Sequence, residues 1–250
     1  MNAPSTLPRD KPHLREAEPA YVLHTYPFKE TSLVVEAFSR NFGRLGLVAK
    51  GARRPASALR GMLMAFQPLL LYWSGKSDMR LLHRVEWQAG RPQMAGIGLI
   101  CGFYLNELVL KLIRRDDPHA EIYDAYEAAL AGLHADESLG AVLRRFERRM
   151  LAGLGYGLTL TQDAGGQAID PAASYVYLPE YGAQRLSGVR EPGNGALLVS
   201  GKTLLEMARD DYSDPVTAQE GKAVMRLVIN HHLGGQVLHT RQLLREIQFL

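Results

Sequence analysis

The chain has little cysteine: Cys101 is the single one among 250 residues. One thiol cannot form an intrachain disulfide, and a cluster of thiolate ligands around zinc or iron is excluded. The lack of disulfides favours an intracellular protein. His231 and His232 are adjacent and no H-E-x-x-H spacing occurs, so we expect no metal site.

The sequence also lacks an uninterrupted long apolar run. No apolar stretch near the start resembles a signal peptide. The most apolar segment, Ile97 to Ile113, contains Asn106, Glu107 and Lys111, which a membrane span would tolerate only at a cost. We therefore interpret this segment as a buried helix and expect no membrane attachment.

Signatures of catalysis are missing as well. No G-x-S-x-G motif is present. Gly201-Lys202-Thr203 resembles the end of a phosphate-binding loop, but Gly195 lies one residue too far upstream and an apolar segment occupies the loop. Helix capping by Ser200 explains this segment better. We expect neither an enzyme nor a bound cofactor.

Acidic residues are absent from one basic stretch, RNFGRLGLVAKGARRPASALR at 40–60. Residues 20–90 carry ten Lys and Arg but four Asp and Glu, whereas residues 91–250 are slightly acidic. A basic strand followed by a basic Gly/Pro loop suits a phosphate backbone, although a solvated edge would also carry charge. The candidate DNA-binding residues are Arg40, Arg44, Lys50, Arg53, Arg54 and Arg60.

The sequence divides into three regions. Residues 1–19 contain four prolines and mixed charges, and we expect a disordered tail. Residues 20–90 contain five short extended segments bounded by turn residues, which predicts a five-stranded barrel of the OB type, with an SH3-like barrel as the competitor. The segments are AYVLHTY, TSLVVEAFS, GRLGLVAK, FQPLLLYWS and MRLLHRVEW.

Residues 91–250 change to a helical period. Apolar spacing predicts helices at about 96–115 and 137–154 with another between them, and further helices after Ser200, after Asp214-Pro215 and after Thr240. Residues 162–200 are rich in Gly, Pro and Ala and predict an irregular insertion with one possible strand at 174–178. The fold class is therefore α+β, with a barrel followed by a mainly helical domain.

A second cationic feature lies on the 137–154 helix, where Arg144, Arg145, Arg148 and Arg149 are mostly opposite the apolar face. Such ridges are common on solvated helices. A site for an acidic peptide is the other interpretation, and at this point both remain open.

Five stretches resemble the RecO family of bacterial DNA repair and recombination proteins in order and spacing. They are KETSLVVEAFSRNFGRL at 29–45, LVAKGARR at 47–54, YLNELVLKL at 104–112, LRRFERRMLAGLGYG at 143–157 and LGGQVLHTRQLLRE at 233–246. The resemblance spans residues 20–246. One branch of the family has a four-cysteine zinc site in the insertion, and this chain lacks those cysteines.

The resemblance implies a non-enzymatic mediator that is cytoplasmic and associated with the nucleoid. Such a protein binds single- and double-stranded DNA, anneals complementary strands, and acts with RecR to load RecA onto strands covered by single-strand-binding protein. It implies that the barrel binds DNA and that the helical domain binds the acidic tail of single-strand-binding protein, with Arg144 and Arg145 as candidates for that contact. The alternative is a barrel-based RNA-binding factor without a recombination role.

Overall fold

The computed structural model describes residues 17–88, 92–135, 137–186 and 195–248. Two units can be distinguished: one covers the chain up to Arg91 together with Arg115–Pro118, and the other covers Pro92–Arg114 and the chain from His119 onward. The predicted tail at 1–19 lies outside the described residues as far as residue 16. Its end is wrong, because the first strand begins at Glu18.

The first unit is a closed five-stranded barrel with strand order β1-β2-β3-β5-β4. Neighbouring strands are antiparallel except β3 and β5, which are parallel. This confirms the OB-type prediction over the SH3-like alternative. The elements are β1 (Glu18–Phe28), β2 (Ser32–Ser39), β3 (Gly43–Ala49), a short helix α1 (Ala58–Met62), β4 (Leu69–Ser74) and β5 (Met79–Trp87).

The barrel core follows from strand alternation. Side chains two residues apart share a face, and Leu45, Leu47 and Ala49 of β3 are all buried. Trp73 of β4 is 1% exposed, and the ring of Phe42 meets its edge at 5.4 Å between centroids. The leucines of β3 therefore point into the barrel core.

The β2–β3 turn depends on a glycine. Gly43 has φ +67°, and a Cβ atom there would lie 2.0 Å from the carbonyl oxygen of Asp117. The Arg115–Pro118 segment approaches this turn closely, since the backbone N–H of Asp116 donates to the carbonyl of Arg44 at 2.9 Å. Only glycine meets both the backbone and the space requirement.

The second unit contains six helices and three strands among its described residues. They are α2 (Gly96–Leu112), α3 (Ala120–His134), α4 (Leu139–Gly153), β6 (Ser174–Leu178), β7 (Gly182–Arg185), β8 (Leu197–Ser200), α5 (Gly201–Ala208), α6 (Pro215–His232) and α7 (His239–Gln248). The predicted apolar faces form the core: Leu105 and Leu108 of α2, Tyr126 of α3 and Phe146 of α4 are almost fully buried. Within the described ranges, no helix has the length and hydropathy needed to cross a bilayer.

Two helix starts agree with the sequence and one does not. The Ser200 hydroxyl accepts from the N–H of Thr203 at 3.2 Å, and the Asp214 carboxylate accepts from Thr217 at 3.0 Å. The predicted Thr240 cap is wrong: Thr240 lies inside α7, and its N–H and hydroxyl donate to the carboxylate of Glu107 on α2. A side chain from a distant helix therefore caps α7, which local sequence does not reveal.

The insertion is more regular than predicted. The possible strand at 174–178 is present as β6, and it is the centre of a three-stranded antiparallel sheet with order β7-β6-β8. The prediction of an irregular segment is therefore wrong at Gly182–Arg185 and at Leu197–Ser200, where β7 and β8 lie. Tyr175 and Tyr177 of β6 are buried, so this short strand still contributes one packed face.

Candidate nucleic-acid interface and cationic pocket

The basic stretch at 40–60 is divided by strand β3 into two ends. Arg40 and Arg44 lie at the β2–β3 turn, whereas Lys50, Arg53 and Arg54 follow the opposite end of β3. An extended backbone rises about 3.3 Å per residue, so Arg44 and Lys50 are separated by roughly 20 Å. The structure therefore does not bring all six candidates to one point.

The exposed positive charge lies in the loop that follows the C-terminal end of β3. Lys50, Arg53, Arg54 and Arg60 are all exposed, and none forms an ion pair with a described residue. Arg53 is anchored twice: its backbone N–H donates to Thr31 at 2.9 Å, and its guanidinium donates to the carbonyl of Lys29 at 3.3 Å. We name Lys29, Lys50, Arg53, Arg54 and Arg60 the basic loop cluster.

Lys29 is a member that sequence reasoning missed. It lies in the β1–β2 turn, far from residues 50–60 in the chain. Its location beside Arg53 depends on the pairing of β1 with β2 and of β2 with β3. The signal that could have found it is the hairpin order, which places the β1–β2 turn beside the end of β3.

The positive charge at the β2–β3 turn, where β3 begins, is largely neutralised. The side chain of Arg44 is 18% exposed and its Nε lies 3.8 Å from the carboxylate of Glu36, which also binds Arg115. Burial lowers the pKa of Arg44, and the attraction of Glu36 opposes that change. Gly46 makes the space, because a Cβ atom there would lie 3.2 Å from the Arg115 guanidinium carbon. Arg44 therefore offers less free charge than the sequence suggests.

Arg40 lies beside this neutralised end. It is half-buried and its backbone N–H donates to the carbonyl of Pro19 at 3.1 Å. Glu18 is buried beneath the same turn, where it accepts from Ser39 and Asn41. Two buried carboxylates, Glu18 and Glu36, lie at this end, whereas the basic loop cluster has five exposed cations beside one exposed acidic residue, Glu30, so an anion would be attracted most strongly to the loop end.

Arg144 and Arg145 do not point into one hollow. Arg144 is 7% exposed and its guanidinium binds the carboxylate of Glu147 at 2.5 Å. Arg145 binds Glu137 at 2.7 Å and borders a different depression, between α3 and α4. Successive helix residues diverge by about 100°, so the pair cannot act as one clamp.

Arg144 lines a hollow of ≈ 230 Å³ within the second unit. Its walls combine apolar side chains, including Leu143 and Leu244, with four cations, namely Arg144, Lys222, Arg226 and Arg241. We name these residues the cationic pocket. A hollow lined by both cations and apolar side chains suits a ligand that is both acidic and apolar.

A buried network holds one wall of this pocket. Glu147 is fully buried and accepts from the hydroxyl of Tyr104 at 2.6 Å, while Arg241 donates to the same hydroxyl at 2.9 Å. Burial raises the pKa of Tyr104, so the phenol stays protonated and donates. Arg144 and Arg241 are thereby held in fixed positions.

Some polar atoms at the pocket have no partner among the described residues. They are the hydroxyl of Tyr212, Nε of Arg144 and Oε2 of Glu147. Burial, with a contribution from Asp210, raises the pKa of Tyr212 to about 12. An unpartnered buried hydroxyl is costly, and a ligand in the pocket would supply a partner.

Lys222, Arg226 and Arg241 were missed in the sequence. Lys222 and Arg226 are four residues apart and therefore share a face of α6, which is a recognisable pattern. Their meeting with Arg144 and Arg241 depends on the packing of α4, α6 and α7, which no local pattern contains. No group of three His, Cys, Asp or Glu in the described parts of the chain is arranged to hold a metal ion.

Comparison with known proteins gives matches along nearly the whole chain. The family model for the N-terminal domain of recombination protein O matches residues 15–91, and the model for its C-terminal domain matches residues 95–242. The DNA repair protein RecO of Nitrosospira multiformis is 50% identical over 237 residues, which cover 94% of this chain and 97% of that protein. RecO of Aromatoleum aromaticum is 50% identical over 94% of this chain and 97% of its own length, and RecO of Thiobacillus denitrificans is 50% identical over 92% and 91%.

Proposed function

The chain belongs to the RecO family of DNA repair proteins, and on that premise we propose that it is a non-enzymatic mediator of DNA repair and homologous recombination. It binds single- and double-stranded DNA, anneals complementary strands, and acts with RecR to load RecA onto strands covered by single-strand-binding protein. It works in the cytoplasm at the nucleoid. The observation that supports DNA binding is the basic loop cluster, with five exposed cations that have no described ion-pair partner.

The binding mode is expected to be electrostatic. Cations on a loop contact phosphates without reading base edges, so affinity should hardly depend on sequence. Lys50, Arg53, Arg54 and Arg60 make the main contacts, and Arg40 and Arg44 extend the track along β3. The track is roughly 20 Å long, which corresponds to about six phosphates of a B-form strand.

The double variant Arg53→Ala/Arg54→Ala tests this contact. Each lost phosphate contact should reduce the slope of log K against log salt by about 0.9 on duplex and about 0.7 on single strands. Affinity should fall on every DNA sequence alike. The matched control is Arg185→Ala/Arg209→Ala, which removes two exposed arginines of the second unit. A slope equal to that of the unchanged protein would contradict the assignment.

The RNA-binding alternative makes a different prediction. Competition between single-stranded DNA and RNA of equal length and matched sequence measures the preference directly. A mediator of recombination should bind DNA at least as tightly as RNA. A strong preference for RNA would favour the alternative, since the 2′-hydroxyl distinguishes the two polymers.

Tail binding is assigned to the helical unit. We propose that the acidic tail of single-strand-binding protein contacts Arg144 through the cationic pocket, with Lys222, Arg226 and Arg241 beside it, and that Arg145 meets acidic residues further along the tail. The supporting observation is that four cations and several apolar side chains line the same hollow. Charge-assisted hydrogen bonds to carboxylates would complete the pocket.

Titration of a labelled tail peptide tests the assignment. Lys222→Ala/Arg226→Ala should weaken peptide binding, whereas Arg209→Ala, an exposed arginine on the neighbouring helix end, should not. Arg144→Glu is a poor test alone, because it would place a second carboxylate against buried Glu147. Arg145→Ala tests the outer contact separately. Unchanged affinity in the Lys222/Arg226 variant would refute the pocket as the binding site.

Strand annealing tests the mediator role as a whole. Complementary strands coated with single-strand-binding protein should anneal faster with the protein present, and addition of RecR and RecA should give recombinase filaments on the coated strand. Nucleotide should not be required for annealing, because the proposal includes no hydrolysis by this chain. Annealing that depends on nucleotide and on Lys202 would favour an enzyme.

A further inference from the structure

Three aromatic side chains share the outer face of β1. His24, Tyr26 and Phe28 alternate along the strand, and side chains two residues apart point the same way. All three are exposed, with Tyr26 at 47% and Phe28 at 37%. The rings of His24 and Tyr26 have centroids 4.4 Å apart. Large aromatic rings usually contribute to a core, so this exposed row is unusual for a strand.

The row is the edge of a wider platform. In the strand register Tyr26 is opposite Val34, Val34 is opposite Val48, and Val48 is opposite Leu81 of β5. Residues directly opposite one another lie on the same face, and the three aliphatic residues are only partly buried. An apolar strip therefore crosses four strands on the outside of the barrel. In OB folds, the face of the second and third strands is a surface on which oligonucleotides bind.

Cations lie at one end of this platform. The ammonium group of Lys29 lies 5.4 Å from the centroid of the Phe28 ring, and the carbonyl of Lys29 accepts from Arg53. The backbone N–H of Arg53 donates to Thr31 in the same turn. Two hydrogen bonds thus hold the basic loop cluster beside the end of the aromatic row. An apolar strip alone would suit many partners, but a strip bordered by positive charge suits a polyanion that carries flat apolar rings.

The spacing of the rings distinguishes unpaired bases from a duplex. Side chains two residues apart on a strand are separated by roughly 7 Å. Phosphates in one strand of B-DNA rise 3.4 Å, half of that distance. A strand stretched to twice this rise can place successive bases on successive rings, whereas duplex bases are paired and stacked inside the helix and present only phosphates. Aromatic contact is therefore available to single strands alone.

We propose that Tyr26 and Phe28 stack on unpaired bases and make the barrel selective for single-stranded over double-stranded DNA. This inference rests on the proposed function, because it needs the basic loop cluster to hold the phosphates. The cluster supplies affinity for both forms of DNA, and the two rings supply the difference between them. His24 supports the ring of Tyr26 through their mutual contact.

The test is the double variant Tyr26→Leu/Phe28→Leu, which keeps apolar side chains and removes the rings. Stacking on one ring corresponds to about tenfold in affinity, so single-strand binding should weaken by at least about tenfold while duplex binding changes by less than about twofold. The matched control is Tyr156→Leu/Tyr181→Leu, two exposed rings of the second unit. Thermal unfolding of each variant verifies that the barrel is intact.

A second experiment modifies the DNA and not the protein. An abasic oligonucleotide of equal length keeps the phosphates and has no bases, so the unchanged protein should bind it about as weakly as the ring variant binds the normal strand. The two losses should not add, because both remove the same contact. The ring variant and the unchanged protein should bind the abasic strand equally.

The outcomes separate this inference from the proposed function. Equal losses on duplex and single strand, or additive losses with the abasic strand, would overturn the stacking assignment while DNA binding stands. An unchanged protein that binds neither form of DNA would overturn the proposed function. A ring variant that retains full single-strand affinity would show that the platform has no part in DNA binding.

Discussion

Replacement of Arg144 by methionine should destabilise the helical unit strongly. Glu147 is fully buried, and its Oε1 receives hydrogen bonds from Arg144 and Tyr104. Methionine fills much of the volume of arginine but leaves the carboxylate with one donor and no positive partner in contact. Removal of one member of a buried ion pair costs about 3–5 kcal/mol of unfolding free energy, because the other charge stays desolvated.

The magnitude can be measured by urea unfolding and by calorimetry. For a unit of this size, 1 kcal/mol corresponds to about 2–4 °C in Tm, so we expect a decrease of roughly 6–20 °C for Arg144→Met. The double variant Arg144→Met/Glu147→Leu should recover most of that loss, since neither charge then remains in the interior. The single variant should therefore show a large decrease in Tm, and the double variant a small one.

Arg145→Met is the control, because it changes the neighbouring residue in the same way. The side chains of Arg145 and Glu137 are 39% and 45% exposed, and an exposed pair contributes about 0–1 kcal/mol. If Arg144→Met costs no more than Arg145→Met, or if the double variant is as unstable as Arg144→Met, the buried pair does not have the role described.

Three further stability predictions follow from single contacts. Gly43→Ala should lower the free energy of unfolding of the barrel by more than about 1 kcal/mol, as measured by the urea midpoint. The control is Gly182→Ala, where φ is +78° but no atom lies within 4 Å of the added Cβ, so its loss should be smaller. Ser200→Ala should cost about 1 kcal/mol through loss of the α5 cap, with Ser200→Thr retaining most of the stability because it keeps a hydroxyl that can accept from Thr203 and donate to Glu220. The hydrogen bond from the backbone N–H of Thr217 lowers the pKa of Asp214. The ionised Asp214 carboxylate therefore contributes to the free energy of unfolding above the ordinary aspartate pKa, and this contribution is lost as pH falls below about 4. Asp214→Asn should make the urea midpoint less dependent on pH over that range.

The fold was largely predictable, because its signals are local. Alternation in β3 and the 3.6-residue period of α2 and α4 identify the barrel and the main helices. Errors occurred where a distant contact decides the outcome. Thr240 was assigned as a cap because nothing nearby in the sequence shows that Glu107 takes this role. The sheet at 174–200 was underestimated because its strands are short.

The candidate sites were predictable in composition and not in geometry. The acid-free stretch at 40–60 is visible in sequence, but Glu36 is four residues before it and reaches Arg44 only through the pairing of β2 with β3. Lys29 joins the cluster through the same hairpin. Arg144 and Arg145 form a pair in sequence and diverge in space. Side-chain chemistry can thus be inferred from sequence, whereas the set of side chains that meet requires the tertiary structure.

The two interfaces should respond differently to salt, and this difference can separate them in one protein. If Lys50, Arg53, Arg54 and Arg60 each contact one phosphate of single-stranded DNA, the slope of log K against log salt is about −2.8, so affinity should fall about 50-fold between 50 and 200 mM salt. The cationic pocket holds its charges partly buried beside apolar walls, where salt screens them less and apolar burial contributes. Tail-peptide affinity should therefore fall much less over the same range. Equal salt dependence of the two affinities would mean that the tail binds on the exposed surface, and Arg145 rather than the pocket would then be its main contact.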